Sequence, residues 1–172
     1  MTPTVRTSCM EIAYQEEGNP QGTPVVLVHG WPDDVSCWDL VVPLLADDET
    51  RIIRPYLRGT GPTRFLAGET LRSGQIGALG RDLADFLDAL ALREPLIVGH
   101  DWGARTGYVV ASLYPERLSG LVAMSAGYAT TGAPLPYSLA HAYWYEWFVA
   151  TGRGRTAMRE DRRELCRYLW SN

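Results

Sequence analysis

The segment Gly99-His100-Asp101-Trp102-Gly103-Ala104 constrains this chain more than any other. It follows the short apolar run Leu96-Ile97-Val98 and precedes a stretch that reads as helix to about Tyr114, where Pro115 halts it. A continuous apolar run without alternation suits a parallel strand covered on both faces. Glycines on either side of the reversal let strand and helix pack closely, so the central side chain, Asp101, stands above the end of the sheet.

The same grammar recurs along the chain. Met10 to Gln15 reads as a strand closed by Gly18-Asn19-Pro20, and Val25-Val26-Leu27-Val28 as a second buried strand that stops at His29-Gly30. A helix is expected from about Val35 to Leu45. Arg51 to Arg54 is a strand stopped by Pro55, followed by a long Gly/Pro-rich loop to about Ser73. Leu79, Leu83, Phe86, Leu87 and Leu90 repeat at helical spacing, which predicts an amphipathic helix over 75–92 with Asp82, Asp85 and Asp88 towards water. Leu118 to Met124 supplies one more strand. Alternating strands and helices of this length imply right-handed crossovers, hence an α/β fold with a doubly wound, mostly parallel sheet.

From Ala126 the pattern changes. Ser138 to Ala150 is dense in aromatics and Arg155 to Trp170 is charged and amphipathic, so two cap helices are expected over the sheet's carboxyl edge. The division is therefore core 1–125 and cap 126–172.

Composition narrows the function. Among 172 residues the net charge is −4 and all 16 basic residues are arginine, so a dedicated nucleic-acid or anionic-membrane surface is not expected and a lysine nucleophile is excluded. The arginines from Arg153 to Arg167 are interleaved with Glu160, Asp161 and Glu164, the pattern of a solvated, salt-bridged face. Cys9, Cys37 and Cys166 lack disulfide or zinc spacing, and no metal is expected. No apolar run reaches the roughly 18 to 20 residues that span a bilayer, and the first residues do not read as a secretory signal. A reducing, cytoplasmic setting fits these features.

A carboxylate at the centre of the turn carries its own chemistry. Attack on an acyl carbon would give an anhydride, whereas attack on an sp³ carbon bearing an epoxide oxygen or a halide gives an ordinary ester that water can cleave. The plainer role for Asp101 is to cap the helix after it. A second turn, His29-Gly30-Trp31-Pro32, ends the Val25 strand; there Gly30 lets the backbone pass beside the nucleophile, and the amides of Trp31 and Trp102 can form an oxyanion-type hole. Trp31-Pro32 is a candidate for the cis form. His29 reads as a satisfied structural histidine, with the functional content in the turn.

Together these motifs resemble the α/β-hydrolase superfamily, specifically its epoxide hydrolase and haloalkane or haloacid dehalogenase branch, and Arg58-Gly59-Thr60-Gly61 is similar to that branch's Arg-Gly-x-Gly loop. Tyr56 departs from it, standing where the family usually has aspartate. The resemblance implies a small hydrophobic epoxide or halogenated substrate and no cofactor. Trp31 occupies the position where many haloalkane dehalogenases hold the halide, and Pro32 follows as in epoxide hydrolases. Trp102 stands where fluoroacetate dehalogenases have their first carboxylate-binding arginine, while Arg105 matches the second. In the cap, Tyr143-Trp144-Tyr145-Glu146-Trp147-Phe148 resembles the lid segment whose tyrosine, aligned with Tyr145, assists the epoxide oxygen; Tyr143 is the register-shifted competitor. The resemblance also places His100, Arg105, Tyr143 and Trp144 about the substrate pocket.

The family order of nucleophile, acid, then histidine is not completed here. His141, the one histidine after Asp101, falls in the expected cap, and no acidic residue lies between Glu116 and Glu146. The expectation is a hydrolase core lacking its last strands and inactive alone, as part of a longer hydrolase or as a domain that pairs its open Leu118–Met124 edge with another copy. A catalytically dead binding module is the alternative from another class.

Overall fold

The computed structural model describes residues 2–128 and 134–171, in two compact units, Met1–Tyr128 and Ala129–Asn172. The part of the expected cap over 129–133 lies outside the described residues.

The first unit holds β1 (Thr4–Arg6), β2 (Met10–Gly18), β3 (Thr23–Val28), β4 (Thr50–Pro55), β5 (Arg64–Phe65), β6 (Leu96–His100) and β7 (Gly120–Met124). They form one sheet in the order β1-β2-β4-β3-β6-β7, with β5 paired to β2. β4, β3, β6 and β7 are parallel, while β1, β2 and β5 join antiparallel. The sheet is therefore mixed and mostly parallel in its centre. The sequence pattern did not announce β1 and β5: each is too short to show a period and is recruited by β2.

Register explains the two-sided core. Val26 sits beside Ile53 and Ile97, and all three pack with Val28 against Leu79, Leu83, Phe86 and Leu87 of α2 (Ile76–Ala89) and Val110 of α3 (Trp102–Leu113). Their neighbours Leu27 and Ile52 point the other way, onto Trp38 and Val42. Each such fully buried side chain contributes roughly 1.5–3 kcal/mol. Unbroken β-branched runs are what a strand needs when both of its faces are dry.

Two expectations about helices are corrected. The stretch from Val35 to Leu45 is not one helix: a 3-10 turn, Val35–Trp38, and the short α1 (Val42–Leu45) are separated, with Pro43 in the first turn of α1. Asp39, between them, pairs with the buried Arg54 of β4 instead of continuing a helix. Asp82 does not face water; it is 6% exposed and ion-paired with Arg58, whereas Asp88 is exposed.

Among its described residues the second unit contains four short helices in place of two: α4 (Tyr137–Ala142), α5 (Trp144–Ala150), α6 (Gly152–Glu160) and α7 (Arg162–Trp170). The breaks have local causes. Thr151 caps α6 by accepting from the Gly154 N–H, and Asp161 caps α7 by accepting from the Glu164 N–H, each stopping the preceding helix to start the next. Among the described residues, no helix is long and apolar enough to cross a membrane.

Candidate active site

The turn from β6 into α3 is strained at one residue. Asp101 has φ 53° and ψ −115°, a combination that costs a non-glycine residue about 1–3 kcal/mol and persists only where its surroundings enforce it. The enforcement is visible. The Asp101 N–H donates to Met124 O at 3.0 Å, its carbonyl accepts from the Arg105 N–H at 3.1 Å, and a side chain at Gly103 would overlap the Val28 carbonyl.

Asp101 precedes α3 but does not cap it through its side chain. Its carboxylate turns instead to the neighbouring strand end, where Oδ1 accepts from the Trp31 N–H at 3.0 Å. Gly30 permits that approach: a Cβ there would lie 2.5 Å from Asp101 Cβ and Oδ1. Trp102 opens α3, so its N–H is one of the donors that a helix start leaves without an intrahelical partner. The Trp31-Pro32 bond is cis.

His29 is fully buried beneath this turn. The Leu57 N–H donates to its Nε2 at 3.1 Å, which leaves the proton on Nδ1, 2.7 Å from Gly30 O. Burial holds its pKa below the ordinary histidine value, in keeping with this neutral form. Both nitrogens are thus occupied in tying the His29–Gly30 turn to the loop after β4.

Beside the turn lies a cavity of about 240 Å³ lined by Gly30, Trp31 and Trp102 together with Leu57, Arg58, Phe65, Arg72 and Leu79. Arg58 does not offer its charge to it freely. Nε and Nη2 donate to the two Asp82 oxygens at 2.6 and 2.7 Å, Nη1 to Ser73 O at 2.7 Å, and Nη2 also to Ala78 O at 3.3 Å. The sequence reading missed this wall. Its one signal was Asp82 lying at helical spacing from Leu79 and Phe86, on the same face of α2.

The remaining expected site residues are distributed. His100 ends β6 and Arg105 lies in the first turns of α3, both half-buried, and neither lines the cavity. Tyr143, Trp144 and Tyr145 belong to the second unit, where the Trp144 ring meets those of Tyr145, Phe148 and Tyr168 at centroid distances of 6.4, 5.6 and 5.9 Å. Trp144 packs there as a hub of aromatics.

A strand, a strained turn carrying an acid, a backbone amide on that acid and a helix make up the junction that ends β6. The chain belongs to the alpha/beta hydrolase fold family, whose pattern it matches over residues 23–162. In sequence it is 31% identical over 160 residues to epoxide hydrolase B of Mycobacterium tuberculosis, covering 83% of this chain and 44% of that protein. In structure it superposes on a candidate epoxide hydrolase from Klebsiella pneumoniae with a TM-score of 0.91 and 38% identity, covering 98% of this chain and 57% of that one. The fold is also that of an epoxide hydrolase from Vigna radiata, with a TM-score of 0.79 at 23% identity and coverage of 100% and 57%. The chain thus spans about half the length of the relatives it matches.

Proposed function

We propose that this chain carries the alkylating half-reaction of an epoxide hydrolase. Asp101 Oδ2 attacks an epoxide carbon, the carbon–oxygen bond of the ring breaks, and the departing oxygen takes a proton from solvent water, leaving a hydroxyalkyl ester on Asp101. The observation that carries this reading is the aim of the carboxylate: Asp101 stands at a helix start, where aspartate ordinarily caps, yet it turns to the Trp31 amide under backbone strain. With Oδ1 tethered, Oδ2 is the free nucleophile. When water later attacks the ester carbonyl, negative charge develops on Oδ1, where the Trp31 and Trp102 amides stabilise it.

The second half-reaction needs a base to activate that water. His29 has both nitrogens engaged, so it does not serve. Among the described residues we assign that role to none, and the product expected of this chain is the hydroxyalkyl ester on Asp101. Epoxide opening is favoured over halide displacement by the epoxide hydrolases among the relatives and by Trp31-Pro32 at the second turn.

Mass spectrometry after incubation with a small epoxide tests the reading. One adduct of the epoxide's mass on Asp101, absent in Asp101→Asn, is expected. Sustained diol release without any adduct would overturn it, and ligand binding without an adduct would identify a dead binding module instead.

A further inference from the structure

We infer that Tyr108 is a positioning residue for Asp101: its hydroxyl anchors the segment after β7 and so fixes the carbonyl that holds the nucleophile's own amide. The inference rests on the alkylation reading and adds a residue to the machinery of that step.

The Asp101 N–H donates to Met124 O at 3.0 Å, which ties the strained turn to β7. Met124 ends that strand, and β7 has β6 on one side and no strand on the other among the described residues. The Met124 carbonyl belongs to the peptide it shares with Ser125. Ser125 has φ 57°, a conformation that a residue with a side chain keeps only where its surroundings enforce it. An edge strand ending in such a residue needs an anchor further along, and α3 supplies it.

Tyr108, on α3, donates its hydroxyl to Ala126 O at 2.9 Å. Its ring also meets the Tyr128 ring edge-on, with centroids 5.1 Å apart, and Ser112 Oγ lies 3.4 Å from Tyr128 OH. Tyr108 and Ser112 are four residues apart on the helix and therefore share a face, so both reach the same segment. α3 comes close enough because residue 107 is glycine: a Cβ there would lie 2.6 Å from Leu121 Cδ1 of β7.

The contacts close a ring. It runs from Asp101 along α3 to Tyr108, across the hydroxyl to Ala126, back to Met124, and across to the Asp101 N–H. The Asp101 carbonyl, bonded to the Arg105 N–H, fixes the other peptide of the turn to the same helix. For the turn to relax, Met124 O would have to follow it, and the Tyr108 hydroxyl opposes that movement. A nucleophile displaced by about 1 Å can lose on the order of 10²-fold in rate, so the effect falls on bond formation. Tyr108 does not line the cavity beside the turn, so the hydroxyl can be removed without altering that cavity's walls.

The test variant is Tyr108→Phe, which keeps the ring against Tyr128 and loses only the hydroxyl. With styrene oxide as the probe and Asp101 labelling followed by mass, the maximum rate is expected to fall about tenfold while the half-saturating concentration stays the same. Adding Ser125→Gly, which makes a positive φ ordinary, should recover about threefold of that loss. Amide exchange followed by NMR reads the positioning without any epoxide. The Asp101 N–H should exchange about tenfold faster in Tyr108→Phe, whereas the Leu57 N–H, held by His29 Nε2, keeps its rate and shows that the variant is folded. Unchanged exchange at Asp101 overturns the positioning role, and so does an unchanged maximum rate in a chain that labels. If the wild type takes no label, faster Asp101 exchange in the variant still supports the role of Tyr108, and it is the alkylation reading that falls.

Discussion

Asp82→Ala is expected to be among the most destabilising single changes in the first unit. The Arg58–Asp82 pair is bidentate, with contacts of 2.6 and 2.7 Å, and its side chains are only 11% and 8% exposed. Removing one partner of a buried pair costs about 3–5 kcal/mol, because the other charge stays buried without compensation. Here the Ser73 and Ala78 carbonyls still accept from Arg58, and the adjoining cavity admits water to it, so the expected cost is near the lower end, about 3 kcal/mol. With urea slopes of about 1–3 kcal/mol per molar, that moves the unfolding midpoint down by roughly 1–3 M. Replacing both partners, Arg58→Met with Asp82→Leu, should recover most of the loss, since an apolar pair of similar volume needs no solvation. The assay is equilibrium urea unfolding of the wild type, both single variants and the double. A cost under about 1 kcal/mol for Asp82→Ala, the value of an exposed ion pair, would refute the reasoning.

Three further outcomes follow from the elbow and its support. Asp101→Gly should unfold at a higher temperature than Asp101→Asn, since glycine relieves backbone strain of about 1–3 kcal/mol and loses one hydrogen bond worth about 1 kcal/mol; a lower midpoint would contradict the strain. Gly30→Ala should abolish Asp101 labelling and lower stability by about 1–3 kcal/mol through crowding, and unchanged labelling would show that the two turns need not touch. The pKa of His29 is depressed in the folded state, so the unfolded chain binds its proton first; stability is present above the unfolded value near about 6.5 and falls as pH drops below it, by at most about 1.4 kcal/mol per pH unit. Urea midpoints across pH 7.5 to 5 measure this, and His29→Gln should flatten that part of the profile.

What could be read in the sequence was whatever local pattern dictates. Val25–Val28 and Leu96–Val98 announced buried parallel strands because they are short, continuous apolar runs rich in β-branched residues and bounded by turn signals. The elbow was legible because the spacing of Gly99 and Gly103 follows from a steric need. Asp82 was misplaced because helical periodicity assigns acids to the wet face, and only the fold reveals that Arg58 arrives from a loop to meet it. The breaks at Thr151 and Asp161 carried capping signals, Asp161 with Glu164 three residues on, that the run of charges obscured. Phe65 and Arg72 gave no signal, since their stacking joins a two-residue strand to a loop.

The elbow has one more implication. Its shape is set by main-chain atoms: the Asp101 N–H on Met124 O, the Asp101 carbonyl on the Arg105 N–H, and Gly99 and Gly103 packed against backbone where no Cβ fits. None of these restraints involves a side-chain atom of residue 101. The main chain would therefore present an alcohol or thiol at this position on the same turn. In such a scaffold a single codon, rather than a rebuilt site, separates nucleophiles suited to tetrahedral carbon from those suited to carbonyls.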